Sequence, residues 1–204
     1  MAEILVIRHG QTEWSADGRH TSVTDLPLTA DGEAQAARLR PAVAGRTFAA
    51  VLCSPRARAT RTAEIAGLAI TAIDEDLAEW RYGDYEGITS AQIRERDPNW
   101  DLWRDGCPGG EQPDEVGARL DRVLDRARSY LDADADDGDV VLIGHGHSSR
   151  VATARWLGQP VAAGALYLLD TATISAFGFE HGRPVLHRWN ERPVARRALG
   201  DDPS

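Results

Sequence analysis

Two stretches of this chain deliver an imidazole and a glycine at the end of an apolar run. In Glu3-Ile-Leu-Val-Ile-Arg8-His9-Gly10, four apolar residues lead to a cation, an imidazole and a glycine. In Asp139-Val-Val-Leu-Ile-Gly144-His145-Gly146-His147, a second run delivers two histidines among glycines. Short apolar runs rich in β-branched residues are the pattern of strands buried on both faces. Ligands of α/β sheets bind outside the carboxyl ends of such strands. A histidine after one strand is as well read as a surface or capping residue. The recurrence argues instead for one crevice holding two imidazoles and several arginines around an anion. Gly10 would let the chain turn sharply and a ligand approach the backbone.

Arginine is the cation on offer. The 23 basic residues are all Arg, with no Lys, against 32 Asp and Glu and a formal charge of −9. Lysine nucleophiles and Schiff bases are excluded, and phosphate binding falls to arginine, which engages oxygens bidentately. The acidic balance argues against a nucleic-acid or anionic-membrane surface. Cys53 and Cys107 form no C-x-x-C and no zinc-ligand spacing. No leader pattern and no apolar run of transmembrane length is visible. The expectation is a cytoplasmic protein in a reducing compartment, without nucleic-acid or membrane partners.

The elements that must position these groups alternate between strand and helix. Residues 13–27 form a polar loop; loops of that length in compact domains are usually functional or disordered, and Trp14 argues for an ordered one. Thr29 is a plausible N-cap for an alanine-rich helix running to Pro41. Phe48 to Cys53 predicts a second strand, delivering Ser54 as cap and Pro55 as first residue of a helix. That helix carries Arg56, Arg58 and Arg61, one of which should point into the crevice. Leu68 to Ile73 predicts a third strand. Residues 77–87 then crowd aromatics, carboxylates and glycines, and residues 80–113 form an irregular cap. Asp114 to Leu131 predicts a long helix with an apolar stripe of Val116, Leu120, Val123, Leu124, Ala127 and Leu131. Residues 132–139 make an acidic turn whose spacing does not suit calcium. A helix from about Ser148 to Leu157 follows, then strands at Leu166–Leu169, Thr173–Glu180 and Val185–Trp189, with His181 to Pro184 as a hairpin turn. The expected architecture is one α/β domain over residues 1–204: three layers, α/β/α, with a mostly parallel sheet, a small cap and a loose tail at 193–204.

In order along the chain, Arg8-His9-Gly10 with Thr12 and Trp14, Asp25-Leu-Pro-Leu-Thr29, Ser54 with Arg58, Glu79 ahead of Tyr82-Gly83 and Glu86-Gly87, and His145-Gly146 with Arg150 resemble the histidine phosphatases of the phosphoglycerate-mutase-like branch. The resemblance implies a metal-independent phosphoric monoester hydrolase without a cofactor. It implies that His9 is a nucleophile phosphorylated in turnover, that Arg8, Arg58 and His145 hold the phosphoryl oxygens, and that Glu79 protonates the leaving oxygen. Ser15, Thr21, Ser22, Trp80, Arg81, Tyr82, His147 and Arg150 would contact the substrate. The physics is compatible: phosphoryl transfer needs positioning and charge stabilisation, which arginines supply. A nucleophilic imidazole must be neutral, and flanking arginines favour that form.

Within the branch the chain is similar to small broad-range acid phosphatases and to sedoheptulose-bisphosphatase-like enzymes. Ser15 stands where many members have Asn. The short segment between Glu79 and Glu111 favours hydrolysis over the mutase reaction, in which a phosphohistidine must be kept dry. A phosphoglycerate mutase remains the nearest alternative, followed by a metal hydrolase using His145 and His147 and by a non-catalytic binding module. His20, His181 and His187 are taken as structural, with His20 lying nearest the substrate loop. Relatives often dimerise, and a homodimer is the expected partner state if any; a small phosphate ester is the expected ligand.

Overall fold

The computed structural model describes residues 2–133 and 138–193. Residues 134–137 of the expected acidic turn fall outside these residues, as does the tail from residue 194, while Asp132 and Ala133 end a helix and Asp139 starts a strand. Six strands lie in the order β3-β2-β4-β1-β5-β6. They are β1 (Ile4–Arg8), β2 (Phe48–Cys53), β3 (Ala72–Ile73), β4 (Asp139–Gly144), β5 (Ile174–Glu180) and β6 (Arg183–Glu191). The first four are mutually parallel, whereas β5 runs antiparallel to β1 and β6 antiparallel to β5. The sheet is mostly parallel, with an antiparallel hairpin closing one side.

The uninterrupted apolar runs follow from helices on both faces. Ile4, Val6, Leu52, Val140 and Leu142 pack towards α7 (Pro113–Ala133) and α8 (Gly146–Trp156). Leu5, Ile7, Val51, Val141 and Ile143 pack towards α2 (Ala30–Ala37), α3 (Arg40–Val43) and α4 (Ala57–Ala66). The stripe of α7 is buried from Val116 to Ala127. Each fully buried Val or Leu there contributes roughly 1.5–3 kcal/mol. Three short helices complete the molecule: α1 (Glu13–Asp17), α5 (Ser90–Arg96) and α6 (Leu102–Asp105).

Several local expectations are corrected. Residues 13–27 are not all loop, because Thr12 and Ser15 form a capping box that starts α1. Helix α4 begins at Ala57, not Pro55, and its cap residue Arg56 makes no side-chain bond. The N–H of Ala57 is instead taken by the Asp25 carboxylate at 2.9 Å. The third strand shrinks to Ala72–Ile73, because Gly67 at φ 79° ends α4 and residues 68–71 are spent climbing back to the sheet edge. Leu166–Leu169 form no strand; a 3-10 turn over Val161–Leu166 precedes them, and Leu166 and Leu168 are 78% and 74% exposed. An apolar run of four does not by itself specify a pairing partner. The β5–β6 hairpin turns on His181 and Gly182, both at positive φ, as a two-residue turn of matching twist requires.

Candidate active site

Strand register brings the two histidines together. Arg8 lies beside Gly144 across β1 and β4, and the N–H of His9 donates to the carbonyl of Gly144 at 3.0 Å. The rings of His9 and His145 then meet edge to face, 5.0 Å between centroids. Gly10 is needed for a different approach from the one expected: a Cβ there would sit 2.4 Å from the carbonyl oxygen of Gly32. The start of α2 thus presses on the turn that presents His9, while Gly10 N–H donates to Thr62 at 3.0 Å.

Hydrogen bonds assign the tautomers. His9 Nδ1 lies 2.7 Å from the carbonyl of Gly10, which can only accept, so Nδ1 carries the proton and Nε2 keeps its lone pair. Burial, with the charges of Arg58 and Arg8, pushes the His9 imidazole well below its usual range, so it is neutral. Arg58 Nε donates to His145 Nδ1 at 3.2 Å, leaving His145 Nε2–H to donate to Ser54 Oγ at 2.7 Å. Burial followed by Arg58 pushes His145 down as well. Arg58, the one arginine of α4 that turns inward, is fully buried and also donates to the carbonyls of Thr21, Ser22 and Thr24. Arg61 stays on the surface with Glu33 and Glu64.

Arg8 donates to the carbonyl of Leu169, yet its buried Nε has no partner among the described residues. A buried unpaired donor on a cation is costly, and an anion at this point would satisfy it. Glu79 is fixed at the amino end of α8: Oε1 accepts from the backbone of Trp80 and Ser148, both at 2.8 Å, and Oε2 from that of His147 at 3.0 Å. Such an N-terminus suits a carboxylate, and here the acid comes from a distant loop.

Arg8, His9 and Glu79 line a cavity of about 190 Å³, with Thr12, Ser15, Arg19, His20, Thr21, Tyr82, Ser90, His147, Arg150 and Leu169. Among the described residues Glu79 is the only acid in that lining. Tyr82 O–H bonds His147 Nδ1 at 2.6 Å. Burial pushes the phenol up and the imidazole down, so the phenol donates and His147 presents Nε2–H. Arg150 lies 4.6 Å over the Trp103 ring and donates to the carbonyls of Gly164 and Ala165. A larger open groove of about 930 Å³, lined by Leu5, Ala42 and Ile174 among others, shares no lining residue with this cavity.

Not every expected contact reaches the cavity. Trp80 is fully buried in the core, its indole N–H donating to the carbonyl of Glu111. Arg81 is exposed, and Ser22 is buried with its hydroxyl on Glu86 at 2.7 Å. None of the three lines it, and neither do Arg58 and His145, expected to hold phosphoryl oxygens. Both are fully buried, with Arg58 on backbone carbonyls and His145, and both His145 ring nitrogens on Arg58 and Ser54. Ser15 does line the cavity, but its hydroxyl is already engaged with the backbone of Thr12. His20, assigned a structural place from sequence, is a wall residue, with Nε2 3.3 Å from Ser90 Oγ. Its neighbours Arg19 and Thr21 were the available signal.

The profile of the histidine phosphatase superfamily (branch 1) matches residues 4–192. An acid phosphatase of Mycobacterium tuberculosis is 41% identical over 186 residues, covering 88% of this chain and 87% of the relative. A sedoheptulose 1,7-bisphosphatase of Saccharomyces cerevisiae is 34% identical over 184 residues, covering 77% of this chain and 68% of the relative. The solved structure of an open reading frame product of Mycobacterium tuberculosis superposes with a TM-score of 0.89 at 38% identity, over 95% of this chain and 99% of the other. With the family profile spanning both strand-end histidines, the chain belongs to the histidine phosphatase superfamily, branch 1.

Proposed function

We propose that this chain, a phosphatase of phosphate esters by its family and its relatives, hydrolyses small-metabolite monoesters through a phosphohistidine on His9. The observation that carries the reading is a neutral imidazole whose proton sits on Nδ1, lining one cavity with an Arg8 whose Nε–H has no partner among the described residues. Nε2 attacks phosphorus as the bond to the leaving oxygen breaks. The leaving oxygen takes that electron pair and the carboxylic proton of Glu79, departing as an alcohol. Water then attacks phosphorus, Glu79 recovers the proton from that water, and the P–N bond breaks with its electron pair returning to Nε2. The products are an alcohol and inorganic phosphate. Guanidinium charge stabilises the transferring group in both steps.

Cavity size and chemistry support a small polar leaving group. The volume of about 190 Å³ is below that of ordinary drug-sized pockets. Around its far end, Thr21, Tyr82 and His147 offer neutral hydrogen-bonding groups, which suit the hydroxyls of a sugar or polyol. The test is phosphate release from aryl, glycerol, sedoheptulose and fructose phosphates and from 3-phosphoglycerate, with and without chelator. The expected outcome is chelator-resistant release that His9→Ala abolishes, with label from a ³²P ester retained on wild-type His9 after rapid quenching. Release that survives His9→Ala would overturn the phosphohistidine route. Isomerisation of 3-phosphoglycerate outpacing release would make the chain a mutase.

A further inference from the structure

Arg119 lies on α7, outside the cavity lining and hydrogen-bonded to the Glu79 backbone, and nothing in the reaction above uses it. It is 8% exposed, and its guanidinium makes five hydrogen bonds. Nη1 donates to the carbonyls of Asp76 at 2.7 Å and Ala78 at 2.8 Å. Nη2 reaches the carbonyl of Glu79 at 3.2 Å. Nε and Nη2 together grip the carboxylate of Glu111, at 2.7 and 3.0 Å.

Glu111 extends the grip across the same segment. Its Oε2 accepts from the N–H of Arg81 at 2.8 Å, its N–H donates to the Arg81 carbonyl at 2.8 Å, and its carbonyl accepts the Trp80 indole at 3.0 Å. The main chain from residue 76 to 81 is therefore tied to one buried ion pair. The Glu79 carboxylate, meanwhile, is tied to the amides of α8. Both ends of the Glu79 side chain are thereby fixed, the root by Arg119 and the tip by α8.

We infer that Arg119, acting with Glu111, is a positioning residue that sets the place of the Glu79 carboxyl against the leaving oxygen. The inference rests on the proposed role of Glu79 as proton donor. A planar fork with several donors can hold three carbonyls and a carboxylate at once; a lysine ammonium, with three donors at one point, cannot. Displacing a reacting group by about 1 Å costs on the order of 10² in rate. The loss should fall on esters whose leaving oxygen needs a proton and spare those whose leaving group departs as a stable anion.

The experiment compares kcat/KM, which reports the first phosphoryl transfer, for glycerol phosphate and 2,4-dinitrophenyl phosphate. Glu79→Gln is the reference and should lower the glycerol ester by about 10²–10⁴ while sparing the aryl ester. Arg119→Lys is expected to lower the glycerol ester by roughly 10- to 100-fold and the aryl ester by less than about 3-fold. Glu111→Gln should show the same selectivity and carries the test if Arg119→Lys proves insoluble. Equal losses on both esters, or none, beside a selective Glu79→Gln would overturn the positioning role alone. An unselective Glu79→Gln would overturn the donor role of Glu79 and this inference with it.

Discussion

One end of the cavity is built from strand ends and the other from loops and helix ends. At the sheet end, Arg8 and His9 leave β1 to line the cavity, while His145 from β4 and Arg58 from α4 are fully buried behind them, outside its lining, with the Arg58 donors on His145 and three backbone carbonyls. At the cap end, Tyr82, His147, His20 and Trp103 meet as rings 4.5 to 5.9 Å apart. Imidazoles are held neutral at both ends, but by different means. Arg58 adds its charge to burial at His9 and His145; at His20 burial acts against the carboxylate of Glu86. The sheet end has charge and donors fixed at strand ends, while the cap end has a cluster of neutral rings with the Arg150 guanidinium over Trp103. The difference teaches that the sheet end suits the part common to all substrates, and the cap end the part that varies.

That contrast can be broken first at Arg8. Arg8→Lys replaces a guanidinium with a point charge and forfeits the Nε–H that has no protein partner. Losing one such donor costs about 10²–10³ in kcat. The loss should be the same for every ester tested, and a loss confined to some esters would show that the sheet end reads the leaving group. A middle-sized effect concerns acid. Burial holds the His20 imidazole down to about 4, against 6.5 in an unfolded chain. The unfolded chain therefore takes the proton first, and stability falls as pH drops through the window from 6.5 to 4. His20 alone contributes on the order of 2 kcal/mol of that fall between pH 7 and 5. His20→Gln should flatten the acid limb of Tm against pH, and an unchanged limb would mean the ring is not held neutral. The smallest effect expected is at Tyr82→Phe, which removes the hydrogen bond to His147. A loss of about 5-fold, the worth of roughly 1 kcal/mol, should appear in KM and differ between esters.

What was legible in the sequence follows the same division. His9, Arg8 and His145 could be found because each follows an uninterrupted apolar run, and a strand buried on both faces leaves its terminal residues at one edge. Arg58 could be narrowed to one of three arginines on a helix, and burial then selected it. The cap end was read less well. Trp80 looks like a ring for substrate but fills the core, and His20 looks structural but forms a wall. Asp25 capping α4 and Arg119 gripping residues 76 to 79 are pairings across long sequence separations. Local periodicity carries no trace of such partners; on α7, Arg119 reads only as one more charge beside an apolar stripe. Leu166–Leu169 failed for the related reason that four apolar residues state a wish to be buried without naming a neighbour. In the fold Leu169 closes the cavity wall and anchors Arg8, and the two outward leucines stay exposed.

The strand order has a consequence for how the molecule is made. β1 is the earliest strand of the chain, yet it lies inside the sheet, between β4 and β5. Until residues 139–180 have been synthesised, an apolar strand waits with both edges unpaired, an invitation to the wrong partner. Pairings between such distant segments form slowly, and the waiting chain is exposed to aggregation meanwhile. His9 is thus synthesised well before the strands that hold it and is put in place only when they arrive.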